Sequence, residues 1–486
     1  DESEIKQFAI DVYDHPYDNA YTYKYPKAGE TNSTVSIHVY DTENRTTKQM
    51  NCGTGNDIYF PIIQWTNDNE SLAIVRLNRN QTTLDLLSVN PRSGVAKTLL
   101  SETDKVYIDY TNYTHLKFNS DNSFVAMSER DGWRHLYRIS RDGKQIQPIT
   151  KGNVDFINEV GIDTQRGLVY SIASPYNATQ CYLYQARLFG KGEAKRNSPA
   201  DQSGQHSYNI SPSGKWAVHT FSNTETPPVI SMVSLPDHRS VRLITDNSRA
   251  KEQYRALGLN GKEFFQVRSG NWMLDGWMIK PVDFDPAKKY PVILDIYGEP
   301  ANSTVQDVWG GGSLWHQYLA NQGYIVISID NRGANCPRGR EWRKCIYGEV
   351  GTFACEDQAR GVQDLARQFS FIDLSRIGVT GWSGGGSQTL NCMFRYPDVF
   401  HTGIAVAFVA DQRLYDTIYQ ERYMDTPQNN PEGYSISRVL NYVEGYPTDY
   451  SSNVISSEAS SRTSVISSEA EGRVEKSPRT NSPKVP

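Results

Sequence analysis

The chain has 486 residues, more than one ordinary core holds, so its length predicts two or three domains. Its net charge is −5, with 50 basic and 55 acidic residues intermixed, which gives no basis for binding nucleic acid or for basic attachment to a membrane. Aromatic residues reach 11% while charged residues make up only 22%, a balance typical of a large β-rich globular protein. No apolar run approaches the roughly eighteen residues that a membrane-spanning helix needs.

Six cysteines are scattered along the chain without a Cys-x-x-Cys pair, and this spacing argues against a zinc site. Cys336, Cys345 and Cys355 are near enough in sequence to permit a disulfide, but buried free thiols are an equal alternative. We therefore expect neither a metal nor a cofactor.

Residues 1–270 contain short alternating β segments separated by polar turns, which predicts a partial β-propeller. A unit made of an apolar residue, a polar turn and a strand recurs at steps of 53, 44 and 48 residues, close to the spacing of propeller blades. Some five units fit, and a pair of β-sandwiches is the alternative. The turns are Trp65-Thr66-Asn67-Asp68, Phe118-Asn119-Ser120-Asp121, Ile162-Asp163-Thr164-Gln165 and Ile210-Ser211-Pro212-Ser213.

Residues 271–450 alternate between strand and helix patterns, which predicts a parallel doubly wound sheet. The run from Tyr290 to Tyr297 is almost continuously apolar, as expected for a strand covered on both faces. Helical stretches are predicted near 314–322 and 356–368, with a strand from Tyr324 to Asp330 between them. This order is that of an α/β-hydrolase.

Gly381-Trp382-Ser383-Gly384-Gly385 lies between a predicted strand and a predicted helix, and Gly-x-Ser-x-Gly in that context predicts a nucleophile elbow. Such a sharp turn needs glycine, because neighbouring backbone packs too closely for a Cβ. The free N–H groups of the following helix would point to the place where an oxyanion develops. The alternative is a Gly-rich turn with an incidental serine.

Residues 451–486 contain no aromatic residue and are rich in Ser, Glu, Arg and Pro. Such a segment buries too little apolar surface to offset the entropy of ordering it, so we predict a disordered tail.

Four separated motifs, in family order, resemble dipeptidyl peptidase IV and its bacterial relatives within the prolyl oligopeptidase family of serine peptidases. The resemblance covers roughly residues 1–440 and implies a β-propeller over an α/β-hydrolase that releases N-terminal dipeptides with penultimate Pro or Ala. The motifs are Tyr23-Lys24-Tyr25-Pro26-Lys27-Ala28-Gly29, Asp295-Ile296-Tyr297-Gly298-Glu299-Pro300, Gly381-Trp382-Ser383-Gly384-Gly385-Gly386 and Tyr415-Asp416-Thr417-Ile418-Tyr419-Gln420-Glu421-Arg422-Tyr423-Met424.

The resemblance implies a role for each matching residue. Ser383 would be the nucleophile, and the backbone N–H of Gly384 and the hydroxyl of Tyr297 would be the two oxyanion donors. Tyr415 and Tyr419 would form the aromatic walls of the proline pocket, which Trp382 and Val409 would help to line; without the motif, a helix face packed into the core would be the alternative for the two tyrosines.

The match fails where the triad partners should follow Ser383. The one later histidine, His401, lies in the apolar run at residues 399–403, which predicts a strand directly after the elbow's helix, so we interpret it as structural. The later aspartates lie in family-matched segments with no triad role or, for Asp449, at the edge of the tail; they are Asp398, Asp411, Asp416, Asp425 and Asp449.

Two further departures concern the front of the chain and the elbow. The acidic pair that holds the substrate's ammonium group in the family lies upstream of the residue 23–29 motif and is not in view, so we expect truncation at both ends. Glu129-Arg130-Asp131 has the position of a blade loop and is not assigned to that role. Gly384 and Phe408 stand where the best-known relatives carry Tyr and Pro.

Without a base, a serine hydroxyl is weakly nucleophilic at neutral pH. The sequence therefore predicts a dipeptidyl peptidase-type serine exopeptidase that is weakly active or inactive as this chain. The alternatives are a non-catalytic remnant that binds peptides or partners, and an esterase-like hydrolase. By resemblance, we expect short peptides as ligands, possible homodimers, and a periplasmic, secreted or membrane-anchored location.

Overall fold

The computed structural model describes residues 1–12, 16–17, 19–113, 116–119, 121–190, 192–310, 313–445 and 455–457. Of the predicted disordered tail, residues 451–486, only Ile455–Ser457 lie within the described residues. These three residues form a short strand, so the prediction of disorder is wrong for them. Within the described residues, no helix is long and apolar enough to cross a membrane.

Two antiparallel hairpins precede the larger sheets. The first pairs β1 (Gln7–Val12) with β2 (Asn19–Lys24), and the second pairs β3 (His38–Asp41) with β4 (Thr46–Gln49). Each forms a separate two-stranded sheet, so the described part of the chain contains four four-stranded blades and not the five units that the sequence favoured.

Each of the four blades is an antiparallel sheet whose strands follow one another in the chain. Blade one contains β5 (Ile58–Trp65), β6 (Leu72–Asn78), β7 (Thr83–Val89) and β8 (Ala96–Thr103). Blade two contains β9 (Lys117–Phe118), β10 (Phe124–Ser128), β11 (His135–Ile139) and β12 (Ile146–Pro148). Blade three contains β13 (Phe156–Asp163), β14 (Leu168–Ala173), β15 (Tyr182–Arg187) and β16 (Lys195–Arg196). Blade four contains β17 (Gln205–Ile210), β18 (Trp216–Asn223), β19 (Thr226–Ser234) and β20 (Ser240–Thr245).

The recurrent polar turn marks the same place in every blade, between the first strand and the second. In blade one, the Asp68 carboxylate accepts from the Thr66 hydroxyl at 2.8 Å and from the Glu70 N–H at 3.0 Å. In blade three, Asp163 accepts from the Arg166 N–H at 2.9 Å. Short polar side chains satisfy turn backbone in this way, which is why the repeat is visible in sequence.

Consecutive blades pack face to face through apolar side chains. Because successive strand residues point to opposite faces, Phe124 of β10 packs with blade one while Val125 packs with blade three. Leu183 and Val233 belong to the cluster that joins blades three and four. These four packed sheets form the β-propeller part of the molecule.

The α/β-hydrolase part is built on a seven-stranded sheet in the order β21-β22-β24-β23-β25-β26-β27. Strand β22 runs antiparallel to β21 and β24, and the remaining pairs are parallel. The strands are β21 (Glu263–Ser269), β22 (Trp272–Ile279), β23 (Tyr290–Asp295), β24 (Ile325–Ile329), β25 (Ile372–Trp382), β26 (Thr402–Val406) and β27 (Ile455–Ser457).

Seven α-helices are found in the described chain, the first of them before this sheet and the others between or after its strands. Strand β24 is buried along its whole length, as expected for a strand covered on both faces. The helices are α1 (Ser248–Ala256), α2 (Ser313–Asn321), α3 (Gly339–Lys344), α4 (Thr352–Gln368), α5 (Gly384–Arg395), α6 (Thr417–Met424) and α7 (Pro431–Ser437).

The predicted boundaries at 270 and 450 stay a prediction, although the hydrolase sheet already begins with Glu263. One predicted strand, over residues 399–403, begins later, at Thr402. The side chains of Val399 and Phe400 are buried, and the N–H groups of both residues donate to the Tyr396 carbonyl in a turn. Their apolar character therefore reflects core packing and not strand pairing.

Helix α3 joins the hydrolase to the propeller through buried ion pairs. The Arg343 guanidinium lies 2.5 Å from a carboxylate oxygen of Glu129 and 2.5 Å from one of Asp155, and Lys344 lies 3.0 Å from Asp104. Although burial acts to raise the pKa of Glu129, the charges of Arg343, Lys344 and Arg134 hold it well below its usual value. Glu129 lies in the loop between β10 and β11, and its carboxylate binds Arg343 of α3 at the interface between the propeller and the hydrolase.

Candidate active site

Ser383 lies at the single residue between strand β25 and helix α5. Its backbone has φ 58° and ψ −118°, a conformation that costs a non-glycine residue on the order of 1–3 kcal/mol. The Ser383 N–H donates to the Val406 carbonyl at 2.9 Å, and its carbonyl accepts from the Ser387 N–H at 3.1 Å. The strand, the sharp turn and the helix together have the geometry of a nucleophile elbow.

The glycines of the elbow are required by close backbone approach. A Cβ on Gly381 would lie 2.5 Å from the Gly385 backbone, and a Cβ on Gly385 would lie 2.2 Å from the Ile296 carbonyl oxygen. Neither atom can be accommodated without moving backbone. The loop that follows β23, which carries Tyr297, is therefore packed directly against the elbow.

Tyr297 is half-buried, and the Cβ position of Gly385 lies 3.3 Å from its Cα. Burial and then the charge of Glu299 raise the pKa of Tyr297 to about 12, so its hydroxyl keeps its proton at neutral pH and can act as a donor. Gly384 is the first residue of α5, where backbone N–H groups have no partner inside the helix. Gly384 is thus adjacent to Ser383 in the chain, and Tyr297 packs against the elbow that holds Ser383.

The tyrosines predicted to form the proline pocket lie together at the start of α6. The rings of Tyr415 and Tyr419 are 5.4 Å apart at 78°, and Tyr419 makes a similar contact with Tyr423 at 5.0 Å. Tyr415 precedes the helix, and Asp416 caps it by accepting from the Tyr419 N–H at 2.8 Å. Tyr415 and Tyr419 are only partly buried, although Tyr419 also packs against the buried apolar cluster that contains Tyr423 and Met424.

The other two predicted pocket residues flank the elbow. Trp382 is 69% exposed, which leaves its ring available at the surface next to Ser383. The Val409 N–H donates to the Ser387 hydroxyl at 2.9 Å, which attaches the segment after β26 to α5. The same segment continues to Tyr415 and α6.

The end of the motif at residues 23–29 docks on the tyrosine wall, defined as Tyr415 and Tyr419 with the segment that carries them, and the sequence did not predict this role. The Ala28 N–H donates to the Tyr415 carbonyl at 2.9 Å, and the Gly29 N–H donates to Glu421 at 2.8 Å. Glu421 is fully buried and also pairs with Arg79 at 2.7 Å. The motif marked these residues in the sequence, but it gave no indication of their partner Glu421, which lies nearly four hundred positions away.

Glu299 is a second residue that the sequence did not single out. It is 6% exposed, and its Oε2 accepts from the Tyr419 hydroxyl at 3.1 Å. Burial raises the pKa of Glu299 to about 7, even though hydrogen bonds from Tyr419 and Gln412 act to lower it. It belongs to the same motif as Tyr297, but nothing local in the sequence predicts its burial.

His401 does not lie near the elbow. It precedes β26 and its N–H donates to the Ile377 carbonyl, while the parallel register pairs Trp382 with Val406. The five residue steps from 401 to 406 span about 16 Å of extended chain. This geometry supports the interpretation of His401 as a structural residue.

The aspartates downstream of Ser383 have other partners or positions. Asp411 pairs with Arg413 and Arg438, and Asp425 accepts from the Asn80 amide at 2.8 Å. Asp398 is exposed in the turn before β26, and Asp449 lies outside the described residues. Within the part of the chain that the structure describes, the Ser383 hydroxyl has no hydrogen-bond partner.

All six cysteines are free thiols, so the disulfide alternative among Cys336, Cys345 and Cys355 is wrong. Among the described residues, no group of three or more His, Cys, Asp or Glu side chains is arranged to hold a metal ion.

Comparison with known proteins gives two family matches along the chain. Residues 1–228 match the family model described as the dipeptidyl peptidase IV (DPP IV) N-terminal region. Residues 313–457 match the model of the prolyl oligopeptidase family. The two matches occur in the order of the propeller and hydrolase parts.

Individual relatives agree with these matches. The crystal structure of Porphyromonas gingivalis dipeptidyl peptidase 4 superposes with a TM-score of 0.87 and 36% identity, over 92% of this chain and 62% of that one. A relative from Aspergillus flavus, named "Probable dipeptidyl peptidase 4", is 28% identical over 86% of this chain and 55% of its own length. Mouse dipeptidyl peptidase 8 is 28% identical over 79% of this chain and 49% of its own length. The chain spans about half the length of the curated relatives it matches.

Proposed function

Because the chain belongs to the prolyl oligopeptidase family of serine peptidases, in its dipeptidyl peptidase IV-like branch, we propose that its site is built to release N-terminal dipeptides whose second residue is Pro or Ala. The observation that carries the proposal is the strained Ser383 elbow with the Tyr297 loop packed on one side. The tyrosines around α6 add the second half of the argument, because a proline ring buries well between aromatic faces.

Each residue has a definite part in the proposed reaction. The Ser383 hydroxyl attacks the carbonyl carbon of the penultimate proline or alanine, the dipeptidyl group is transferred to the serine oxygen, and the leaving amine takes the proton of the serine. Water then hydrolyses this ester, which releases the dipeptide and restores the serine hydroxyl. The N–H of Gly384 and the hydroxyl of Tyr297 donate to the oxyanion, and loss of one such donor costs about 3–4 kcal/mol of barrier. Trp382, Val409, Tyr415 and Tyr419 surround the proline ring.

For this chain we propose weak hydrolysis at most. The Ser383 hydroxyl has no hydrogen-bond partner within the described residues, and a serine without a base keeps only the residual rate from oxyanion stabilisation and binding. The same observation favours a second candidate function, in which the chain binds proline-containing peptides without cleaving them. Location and oligomeric state stay predictions.

The test is hydrolysis of a Gly-Pro or Ala-Pro chromogenic amide by the purified chain. We expect a rate close to background, with Ser383→Ala and the exposed Ser375→Ala on the same strand giving the same low value. Fast hydrolysis would contradict the proposed low activity. If Ser383→Ala then abolished it and Ser375→Ala did not, the assignment of Ser383 as the nucleophile of a peptidase would be supported.

A fluorophosphonate probe separates the two candidate functions. Labelling of Ser383 that is lost in Ser383→Ala would favour the enzyme. Binding of a proline dipeptide without any labelling would favour the non-catalytic binder. An acyl ester cleaved much faster than the proline amide would instead favour an esterase.

A further inference from the structure

Glu299 is a buried carboxyl group enclosed by tyrosines of the candidate site. Its Oε2 accepts from the Tyr419 hydroxyl at 3.1 Å, and its charge acts on the pKa values of Tyr297, Tyr415 and Tyr423 as well. The titratable groups that face it are therefore these four tyrosines, one on its own loop and three in the segment around α6. Gln412 contributes a neutral amide to the same environment.

The Glu299 side chain also touches the residue after the nucleophile. A Cβ built on Gly384 would lie 2.6 Å from Glu299 Cδ and 2.8 Å from its Cγ. The carboxyl group thus fills the volume that a side chain at position 384 would need. One buried side chain therefore contacts both the backbone of a proposed oxyanion donor and a wall of the proposed proline pocket.

The second oxyanion donor is connected to the same group through Tyr419. Burial and then the charge of Glu299 raise the pKa of Tyr297, while the neighbouring Tyr419 hydroxyl acts to lower it. Tyr297 also lies two residues before Glu299 on one short loop. Movement of the Glu299 carboxyl would consequently be transmitted to both hydroxyls.

We infer that Glu299 is a positioning residue of the site: its carboxylate holds the Tyr419 hydroxyl, and with it the tyrosine wall and Tyr297, in the arrangement that receives a proline ring. This inference rests on the proposed function, because it assumes that the tyrosines bind that ring. Glu299 need not contact the ligand itself.

The inference has a pH dependence whose sign can be worked out. Because burial raises the pKa of Glu299 to about 7, the group is mostly ionised at pH 8 and mostly protonated at pH 6. A carboxylate accepts a charge-assisted hydrogen bond from Tyr419, and a neutral carboxyl group accepts a weaker one. Binding to an ordered tyrosine wall should therefore weaken as the pH falls through 7, by about fivefold if the charged hydrogen bond is lost.

The experiment measures binding of N-acetyl-valyl-pyrrolidide to the full 486-residue chain by ligand-observed NMR at pH 6, 7 and 8. This probe carries the five-membered ring and no titratable group, so any pH dependence belongs to the protein. We expect about fivefold weaker binding at pH 6 than at pH 8, and a flat profile in Glu299→Gln and in Tyr419→Phe. A Glu299→Gln variant that keeps the wild-type pH profile would overturn the inference.

A second measurement covers the case in which the probe binds to no form of the protein, which would count against the proposed function. Gly384→Ala should lower the thermal unfolding midpoint by several degrees in the wild-type background and by much less in the Glu299→Ala background. Equal penalties in both backgrounds would show that Glu299 does not occupy the space beside Gly384, and would overturn the inference independently of ligand binding.

Discussion

Gly385 is the residue at which the elbow and the Tyr297 loop approach most closely. We expect Gly385→Ala to lower the free energy of unfolding by about 2–4 kcal/mol, because the new Cβ would lie 2.2 Å from a backbone oxygen. Gly378→Ala on β25, the strand that leads into the elbow, is the control, since its Cβ would meet nothing closer than 3.7 Å. Urea unfolding of both variants measures the difference, and similar values for the two would mean that the loop yields easily.

Single residues differed in how well the sequence could predict them. The sharp turn at Ser383 was predictable because its glycine requirement is local and visible in five neighbouring residues, whereas the role of Ser383 as nucleophile stays a proposal. Tyr297 and the pocket tyrosines came from a resemblance, and their assignment stays a proposal. Glu299 was missed because its burial depends on α6, more than a hundred positions away.

Blade four contains a pair of buried histidines stacked between its first two strands. His206 Nδ1 and His219 Nε2 are 2.9 Å apart, and the two rings are nearly parallel, with centroids 5.1 Å apart. Burial lowers the pKa of His206 to about 4, and burial with the neighbouring His206 lowers that of His219 to about 3. Both rings are therefore neutral in the folded protein at pH 7.

We predict that this pair makes the protein less stable in mild acid. The pKa values are depressed on folding, so the unfolded chain binds more protons below about 6.5, and stability is lost as the pH falls from there towards 4. The slope is at most about 1.4 kcal/mol per pH unit for each histidine. His219→Gln should reduce the slope of unfolding free energy between pH 6.5 and 4, whereas exposed His38→Gln should leave it unchanged. An unchanged slope in His219→Gln would refute the prediction.

Blades were predictable as elements because each begins with a polar turn that has its own local chemistry. Their number was overestimated, because the hairpins β1–β2 and β3–β4 share the composition of blade strands but pair only with each other. The predicted strand at 399–403 failed for a related reason: an apolar run reports burial without specifying whether strand or turn causes it.

Buried ion pairs of helix α3 hold the propeller and the hydrolase together. Arg343→Met should lower the free energy of unfolding by about 3–5 kcal/mol, because it leaves Glu129 and Asp155 buried without their cation. Arg367→Met is the control, since Arg367 is exposed and 3.7 Å from Asp364, and we expect it to cost less than about 1 kcal/mol. Chemical unfolding gives both values; equal losses would contradict the importance of the buried pairs.

These interface contacts could not have been predicted from the sequence. The pair between Glu129 and Arg343 spans 214 positions, and each residue taken alone looks like an ordinary surface charge. Amphipathic patterns identify which face of an element is buried, but they do not specify which distant element covers it. The two-part architecture was predictable, and the chemistry of the contact between the parts was not.

The docking of residues 25–29 on α6 also sets an order of events during synthesis. Gly29 and Glu421 are 392 positions apart, so at about 5–20 residues per second the ribosome delivers the second partner roughly 20–80 s after the first. Until Glu421 has been synthesised, Arg79 and the Gly29 N–H lack this partner while the blades form. The pocket around Tyr415 and Tyr419 is thus completed late in translation, and a nascent chain halted before position 421 would carry the blades without the buried partner of Gly29 and Arg79.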